Sequence, residues 1–509
     1  MVDKLIHFLK TLNERQTLFH LIGIAFVLRL YAVLMAQGIA NDSAAYGFMA
    51  RDFMTGNIEK ALAIPGHPLY PLLISLFSMD TAHVEITGRL ISLFFGTFTV
   101  IPLYFLIKEA INQKIAIWST LFYAFHPYLV SYSGMMLTEA TYWGMLVLSV
   151  YFFWTGLKRV KTWRVGLSGC FLGLAYLTRP EGIGYMVVYI AWIIIDSLKR
   201  KRWFKGLLII GFFISCTLIT SFPYLLHIRQ ETGQWLISKK AATIQSHLLQ
   251  KNVEQVYSQR EIQTTQSDQK GPGFLLMVRN MIYRLPSLIY HYLRAFHFSL
   301  WIFLLLGLLA MKQEQVPYKW FLASFILFHL FSLSIFPFHS SIRFSIPVIS
   351  LSLCWAGSGA MKLNRYLKKR EVLYPERVIF FLILVVILSQ LPQSLKPERR
   401  HRAIQKEVGL WLKQNTHPDA IIMSNSSQEA FYADRKFIML PEEITRPGMA
   451  MESYHEVMRF ARANGVQYIL VDKHTSMRNQ GFMECIQTKD LREVFRKPDR
   501  ALVIFEVVY

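Results

Sequence analysis

The first side chain placed to do chemistry is Asp42. It stands in Asn41-Asp42-Ser43-Ala44-Ala45-Tyr46, directly after the first membrane-length apolar run, and Pro65-Gly66-His67-Pro68-Leu69-Tyr70-Pro71 follows in the same polar stretch. A carboxylate at that point is either a solvated loop end or a general base that takes a proton from an attacking hydroxyl. The other ionisable residues near the ends of apolar runs are Arg29, Arg89, Glu139, Arg179, Glu181 and Arg343. Together they make one carboxylate loop, a second carboxylate and several arginines at one membrane face. Such a set suits a lipid-linked phosphate. The lipid tail stays in the bilayer, arginines meet the phosphate, and a carboxylate faces the headgroup.

Each residue also has a purely structural reading. Arg29 lies about 12 Å below the outer end of the first helix. There it snorkels or pairs with a helix neighbour, or else it neutralises an anion or orients Asp42. Glu139, behind Thr138, is an acid of the kind the helix dipole favours in a first turn. Arg179 and Glu181 flank Pro180 and form a self-contained ion pair at a turn, or part of a site. Arg343 reads as an interfacial anchor or a phosphate ligand. His67 and His126 each precede a proline and suit the polar tip of an amphipathic side chain. No Asp-x-Asp and no G-x-x-x-x-G-K-[ST] occurs, so a metal–nucleotide-sugar site and ATP-driven transport lack support. Metal use stays open.

The elements that must position these residues are apolar. The chain has 509 residues, 53% hydrophobic and only 17% charged, in long runs that mark an integral membrane protein. The net charge of +22 is concentrated in links such as Lys158-Arg159-Val160-Lys161, Lys199-Arg200-Lys201-Arg202 and Lys368-Lys369-Arg370. Basic links between apolar runs belong on the cytoplasmic face, which accounts for the charge without a nucleic acid. Cys170, Cys216 and Cys354 lie in apolar runs and Cys485 stands alone, so no zinc or disulfide framework is legible. The first run, too long for a signal h-region and carrying Arg29, reads as an uncleaved anchor.

About eleven spans are expected, near residues 17–37, 86–107, 115–132, 138–157, 165–178, 183–197, 206–227, 298–311, 318–337, 344–361 and 377–393. A loop of about fifty residues follows the first span, with an interfacial or re-entrant helix at 69–77. Residues 228–297 read as a long outer loop with surface helices. With the N-terminus inside, the basic links fall inside, and Asp42, Glu139, Arg179, Glu181 and Arg343 fall outside. The composition changes near residue 398. Strand-like Asp419–Ser424, a helix ending at Gly465 and strand-like Val466–Val471 then suggest a small α/β domain. The expectation is therefore a mainly α polytopic membrane domain, 1–397, and an extracytoplasmic α/β domain, 398–509. The second holds no nucleophile–base–orienter set and reads as peripheral to the chemistry, guiding an acceptor.

The order of short motifs resembles the bacterial branch of the protein O-mannosyltransferase-like family. These are GT-C type membrane glycosyltransferases related to the aminoarabinose transferases that modify lipid A. The motifs are Asp42, the His-Pro-Leu-Tyr-Pro-Leu-Leu stretch at 67–73, Gly88-Arg89-Leu90, Leu137-Thr138-Glu139-Ala140, Leu177-Thr178-Arg179-Pro180-Glu181-Gly182 and Arg343-Phe344-x-x-Pro347. By that resemblance Asp42 matches the catalytic base, Arg29 and Arg89 resemble arginines near the donor site, and Glu139 matches an acidic residue of the second outer loop. Many mannosyltransferase members have Asp-Glu where this chain has Asp42-Ser43, which leaves protein mannosylation open.

The function expected is an inverting glycosyltransferase at the outer face of the cytoplasmic membrane. It would move a sugar from a polyprenyl-phosphate donor to a hydroxyl on glycan, lipid or protein. Asp42 would be the base, with Arg29, Tyr46, His67, Arg89, Glu139, Arg179, Glu181 and Arg343 binding substrate. No cofactor beyond the lipid-linked donor is implied, and no nucleic-acid partner. The rivals are a lipid-linked saccharide transporter or flippase, a non-catalytic assembly subunit, and a ligase or polymerase of envelope glycan. A transporter would spread polar residues through the bilayer depth, whereas these cluster at one face.

Overall fold

A computed structural model describes residues 11–239, 274–310, 315–335, 341–397, 402–440, 450–471, 490–497 and 502–509. Two compact units emerge: residues 1–36 with 49–398, and residues 37–48 with 399–509. The chain begins with α1 (Glu14–Met35), α2 (Asn41–Met54), α3 (Ile58–Ala63), α4 (Leu69–Phe77), α5 (Val84–Phe98), α6 (Val100–Ala110) and α7 (Gln113–Phe125). It continues with α8 (Pro127–Ser133), α9 (Glu139–Lys158), α10 (Thr162–Tyr176), α11 (Glu181–Gly184), α12 (Met186–Lys199) and α13 (Trp203–Thr232). The last membrane-unit helices are α14 (Phe274–Phe296), α15 (Trp301–Leu308), α16 (Val316–Ile335), α17 (Ile342–Lys369) and α18 (Pro375–Ser394).

Among the described residues, eight helices are long and apolar enough to cross a membrane, and the bent pair α14–α15 makes a ninth candidate. Two expected spans fall on shorter helices. Residues 115–132 divide into α7 and α8 at His126-Pro127, where proline cannot donate to the helical ladder. Helix α10 has 15 residues, a rise of about 22 Å against a hydrocarbon core of about 30 Å. Counted as crossings, these two restore the expected total. Two stretches expected between spans take a different form. The stretch after α1 forms α2 and α3, which leaves Asp42 in a first helical turn rather than a loop. Residues 274–296, expected within an outer loop with surface helices, form one helix that joins the next as a candidate span bent by 82°. Arg279, Arg284, His291 and Arg294 had masked its apolar face, on which Leu288, Tyr292, Ala295 and Phe296 are buried.

Helix α17 is the centre of the membrane unit. In its apolar window 89% of residues are buried, against 22% for α13, whose exposed Leu207, Leu208, Ile219 and Phe222 suit lipid. Small residues let its neighbours approach closely. Gly307 of α15 and Gly359 of α17 each lie against the other helix's backbone, at the carbonyls of Trp355 and Phe303. Across the other face, Gly357 lies against Ser119 of α7.

The second unit contains α19 (Ala403–Asn415), β1 (Ile421–Ser424), α20 (Ser427–Ala433), β2 (Lys436–Met439), α21 (Ala450–Ala463), β3 (Tyr468–Val471), β4 (Leu491–Lys497) and β5 (Leu502–Val507). Its sheet runs β2-β1-β3-β5-β4, with β1 parallel to β2 and β3, and β5 antiparallel to β3 and β4. Alternation along each strand serves two cores. Met423, Ile469, Val471 and Phe505 pack with Tyr454, Val457 and Ala461 of α21. Ile422, Leu470 and Ile504 pack with Ile404, Val408 and Leu412 of α19. Gly465 takes the left-handed conformation (φ 64°) just past α21, as its place in the sequence suggested.

The close pass of α15 and α17 is open to a direct test. Gly359→Val puts a branched side chain against the Phe303 carbonyl and should cost about 1–3 kcal/mol of stability. The check is thermal unfolding of the full chain in detergent, and an unchanged midpoint contradicts the packing.

Candidate functional site

Glu139 opens α9, where the positive end of the helix favours an acid. The whole residue is buried. A carboxylate cut off from water needs partners to stay charged, and two arginines supply them. Arg179 Nη1 donates to Glu139 Oε1 at 2.9 Å, and Arg343 Nε donates to the same oxygen. Arg179 turns the other side of its guanidinium to Glu181, with Nη2 3.0 Å from Oε1 and Nε 3.4 Å from Oε2. Two arginines and two carboxylates thus form one chain of ion pairs, balanced in formal charge. Glu139 Oε2 is buried and finds no hydrogen-bond partner among the described residues.

Local structure explains the geometry. After α10 the chain turns, with Arg179 N–H donating to the Ala175 carbonyl at 2.9 Å and Gly182 N–H donating to Arg179 O at 3.1 Å. Pro180 disfavours helix at Arg179, so the guanidinium and the Glu181 carboxylate sit on either side of a kink. The 65–71 stretch docks beside this turn. Leu69 N–H donates to the Leu177 carbonyl at 2.9 Å, Tyr224 Oη to Gly66 O at 2.9 Å, and Tyr70 Oη to Gly88 O at 2.8 Å. His67 is buried edge-on to Tyr176 and Tyr224 at 5.1 and 5.2 Å. Ser341 caps α17 and so places Arg343 in the first turn.

Two residues of the cluster, Tyr142 and His329, were not singled out from the sequence, and Phe344 entered only as part of the Arg343 motif. Tyr142 and Phe344 present their rings to the Arg179 guanidinium at 5.8 and 5.6 Å, within cation–π range. His329, in the middle of apolar α16, bridges Tyr185 Oη at 2.8 Å and the Phe344 carbonyl at 2.7 Å. A lone histidine inside a membrane-length apolar run was the available signal.

Within the membrane unit, Arg29 and Arg89 do not join this cluster. Arg29 is fully buried, with Nη1 donating to Ala25 O at 3.2 Å and Ala124 O at 3.3 Å, and Nη2 to Tyr123 O at 3.3 Å. Tyr123 and Ala124 belong to the last turn of α7, whose carbonyls have no helical donor. Arg89 treats the end of α1 likewise, donating to Ala36 O at 2.7 Å and Val33 O at 3.3 Å while pairing with Glu85. Both arginines therefore hold helix C-termini, where a cation also meets the negative end of the dipole. Asp42 and Tyr46 belong to the other unit. Tyr46 is buried; Asp42 is half-buried in the first turn of α2. Among the described residues no cluster of three His, Cys, Asp or Glu is arranged to hold a metal.

If Glu139 anchors the cluster, Glu139→Ala should destabilise the membrane unit by about 3–5 kcal/mol, because both arginines lose a buried counter-charge. Unfolding of the purified variant measures this. A neutral change contradicts the anchor role.

Residues 65–227 match the family model of dolichyl-phosphate-mannose-protein mannosyltransferase. Among curated proteins no sequence matches. Among solved structures, the chain resembles ArnT from Cupriavidus metallidurans bound to undecaprenyl phosphate, with a TM-score of 0.63 and 12% identity over 96% of this chain and 97% of that one. It also resembles the Archaeoglobus fulgidus oligosaccharyltransferase in complex with zinc and sulfate, with a TM-score of 0.59 and 13% identity over 95% of this chain and 73% of that one. The same archaeal enzyme, AglB, bound to an inhibitory peptide and a dolichol-phosphate, aligns with a TM-score of 0.52 and 12% identity over 95% and 74%. The matched segment spans the 65–71 stretch, Glu139 and the Arg179–Glu181 turn, and the fold agrees over nearly the whole chain. The chain is thus a polytopic membrane protein with the fold of the GT-C type membrane glycosyltransferases.

Proposed function

We propose that this protein is an inverting glycosyltransferase that moves a sugar from a polyprenyl-phosphate donor to an acceptor hydroxyl at the outer face of the cytoplasmic membrane. The observation that carries the reading is the buried Glu139 holding Arg179 and Arg343 together. A site that loses a phosphate leaving group needs cations preset where negative charge develops. Of the two arginines, Arg343 is the more exposed, with 23% of its side chain accessible against 11% for Arg179. Arg343 is therefore assigned to the donor phosphate, with Arg179 as its brace. The unmet Glu139 Oε2 would accept a hydroxyl of the sugar. The likeness to structures that hold undecaprenyl phosphate and dolichol-phosphate supports this donor class.

Asp42 is assigned as the base. It takes the proton of the acceptor hydroxyl as that oxygen attacks the anomeric carbon from the face opposite the phosphate. The carbon–oxygen bond to the phosphate breaks with inversion, and the lipid phosphate leaves with the bonding pair. A phosphate leaves without prior protonation, so one carboxylate suffices, unlike the pair that a glycosidase uses.

Two variants separate the roles. Asp42→Asn should lower single-turnover transfer by about 100-fold or more while undecaprenyl phosphate still binds. Arg343→Ala should weaken binding of undecaprenyl phosphate as well as the rate. A fully active Asp42→Asn protein contradicts the assignment of the base. Orientation is tested apart from chemistry. A reporter enzyme fused after Tyr509 should be active outside the cytoplasm, and cytoplasmic activity there would overturn the sidedness.

A further inference from the structure

Residues 37–48, which carry Asp42, form one compact unit with residues 399–509. The bonds that join them are specific. Gln428 of α20 is fully buried, and its Nε2 donates to the Ile39 carbonyl at 2.6 Å. Its Oε1 accepts from Arg402 Nη1 at 2.7 Å and from Ser426 Oγ at 2.6 Å, which sets which way the amide points. The same Arg402 nitrogen donates to Asn41 Oδ1 at 2.9 Å. One turn further along α20, Phe431 stands edge-on to Phe48, ring centroids 6.0 Å apart, over Gly47, where a Cβ would strike its ring. At Gly38 a Cβ would come within 2.8 Å of the Arg402 carbonyl oxygen. The chain entering α2 is therefore held on both sides of Asp42.

Helix α2 starts under this grip. Ala40 N–H donates to Ser43 Oγ at 3.1 Å, and Ala44 N–H to Ala40 O at 3.2 Å. The backbone position of Asp42, in that first turn, follows from where Ile39 and Asn41 are fixed. A buried amide strongly prefers its hydrogen bonds made, so Gln428 resists rotation of this turn. We infer that Gln428, oriented by Arg402, is a positioning residue for Asp42, and that the α/β unit serves the transfer step itself by aiming the base. This rests on the reading of Asp42 as the base. It departs from the expectation that the α/β domain is peripheral to the chemistry. A displacement of about 1 Å in a reacting group can lower a rate by as much as about 100-fold, which gives the arrangement its consequence.

The test is a cycle of full-length variants, using as donor the polyprenyl-phosphate sugar extracted from a strain that lacks this protein. Gln428→Ala should lower single-turnover transfer by about tenfold or more, with binding of undecaprenyl phosphate unchanged. Placed on Asp42→Asn it should cause no further loss, because no base is left to aim. An equal loss in both backgrounds means a general structural role and overturns the inference. So does full activity of Gln428→Ala when Asp42→Asn is impaired. Full activity of Asp42→Asn removes instead the reading on which the inference rests. If Gln428→Ala does not fold, Gln428→Glu keeps the size and the acceptor for Arg402 and Ser426 but cannot donate to Ile39. It should show the same loss of rate, and wild-type rates in Gln428→Glu overturn the inference.

Discussion

A carboxylate closed off from water inside a membrane protein is tolerable only with its counter-charges in place, and Glu139 imposes that condition on this structure. Its two partners come from parts of the chain that sequence distance separates widely, the turn after α10 and the first turn of α17. Meeting one buried oxygen brings both together with the start of α9. Arg179 is braced in turn by Glu181 and by the rings of Tyr142 and Phe344. A balanced cluster of this kind is costly to disturb, and under the proposed function it keeps cationic groups preset for the donor phosphate.

The same economy of charge appears at the helix ends. Arg29 and Arg89 do not add to the cluster; each gives donors to the bare carbonyls at the end of another helix, with Arg29 also bonded to its own Ala25 O and Arg89 paired with Glu85. In a hydrocarbon setting those carbonyls have no water to turn to. Burying an arginine there satisfies the helix end and the Nη donors of the guanidinium, while Arg29 Nε has no hydrogen-bond partner among the described residues. The 65–71 stretch plays a comparable part, fixing the Leu177 carbonyl two residues before Arg179. Much of what the motifs supply is thus support for the arginines.

Several of these features were legible in the sequence. The apolar runs, the basic links, the α/β tail and the kinship of Glu139, Arg179, Glu181 and Arg343 at one face all follow from residue types and spacing. The roles of Arg29 and Arg89 were not, because helix-end carbonyls are backbone groups that no motif reveals. That helix α14 contributes to a candidate span was hidden by its own arginines and histidine, which break the apolar run while leaving a buried face on Leu288, Tyr292 and Phe296. The split of α7 from α8 was readable at His126-Pro127 but was outweighed by the apolar count around it. Least legible was the union of residues 37–48 with the α/β unit. It depends on Gln428 and Arg402, polar residues almost 400 positions away with no pattern to mark them.

The central claim is that Glu139 organises a donor-phosphate site through its arginines. An experimental map of the full-length protein with undecaprenyl phosphate bound tests it most directly. The account places the phosphate within hydrogen-bonding distance of Arg343, with Glu139 still bonded to both arginines. A phosphate held elsewhere, with the Glu139 cluster closed and untouched, would contradict it.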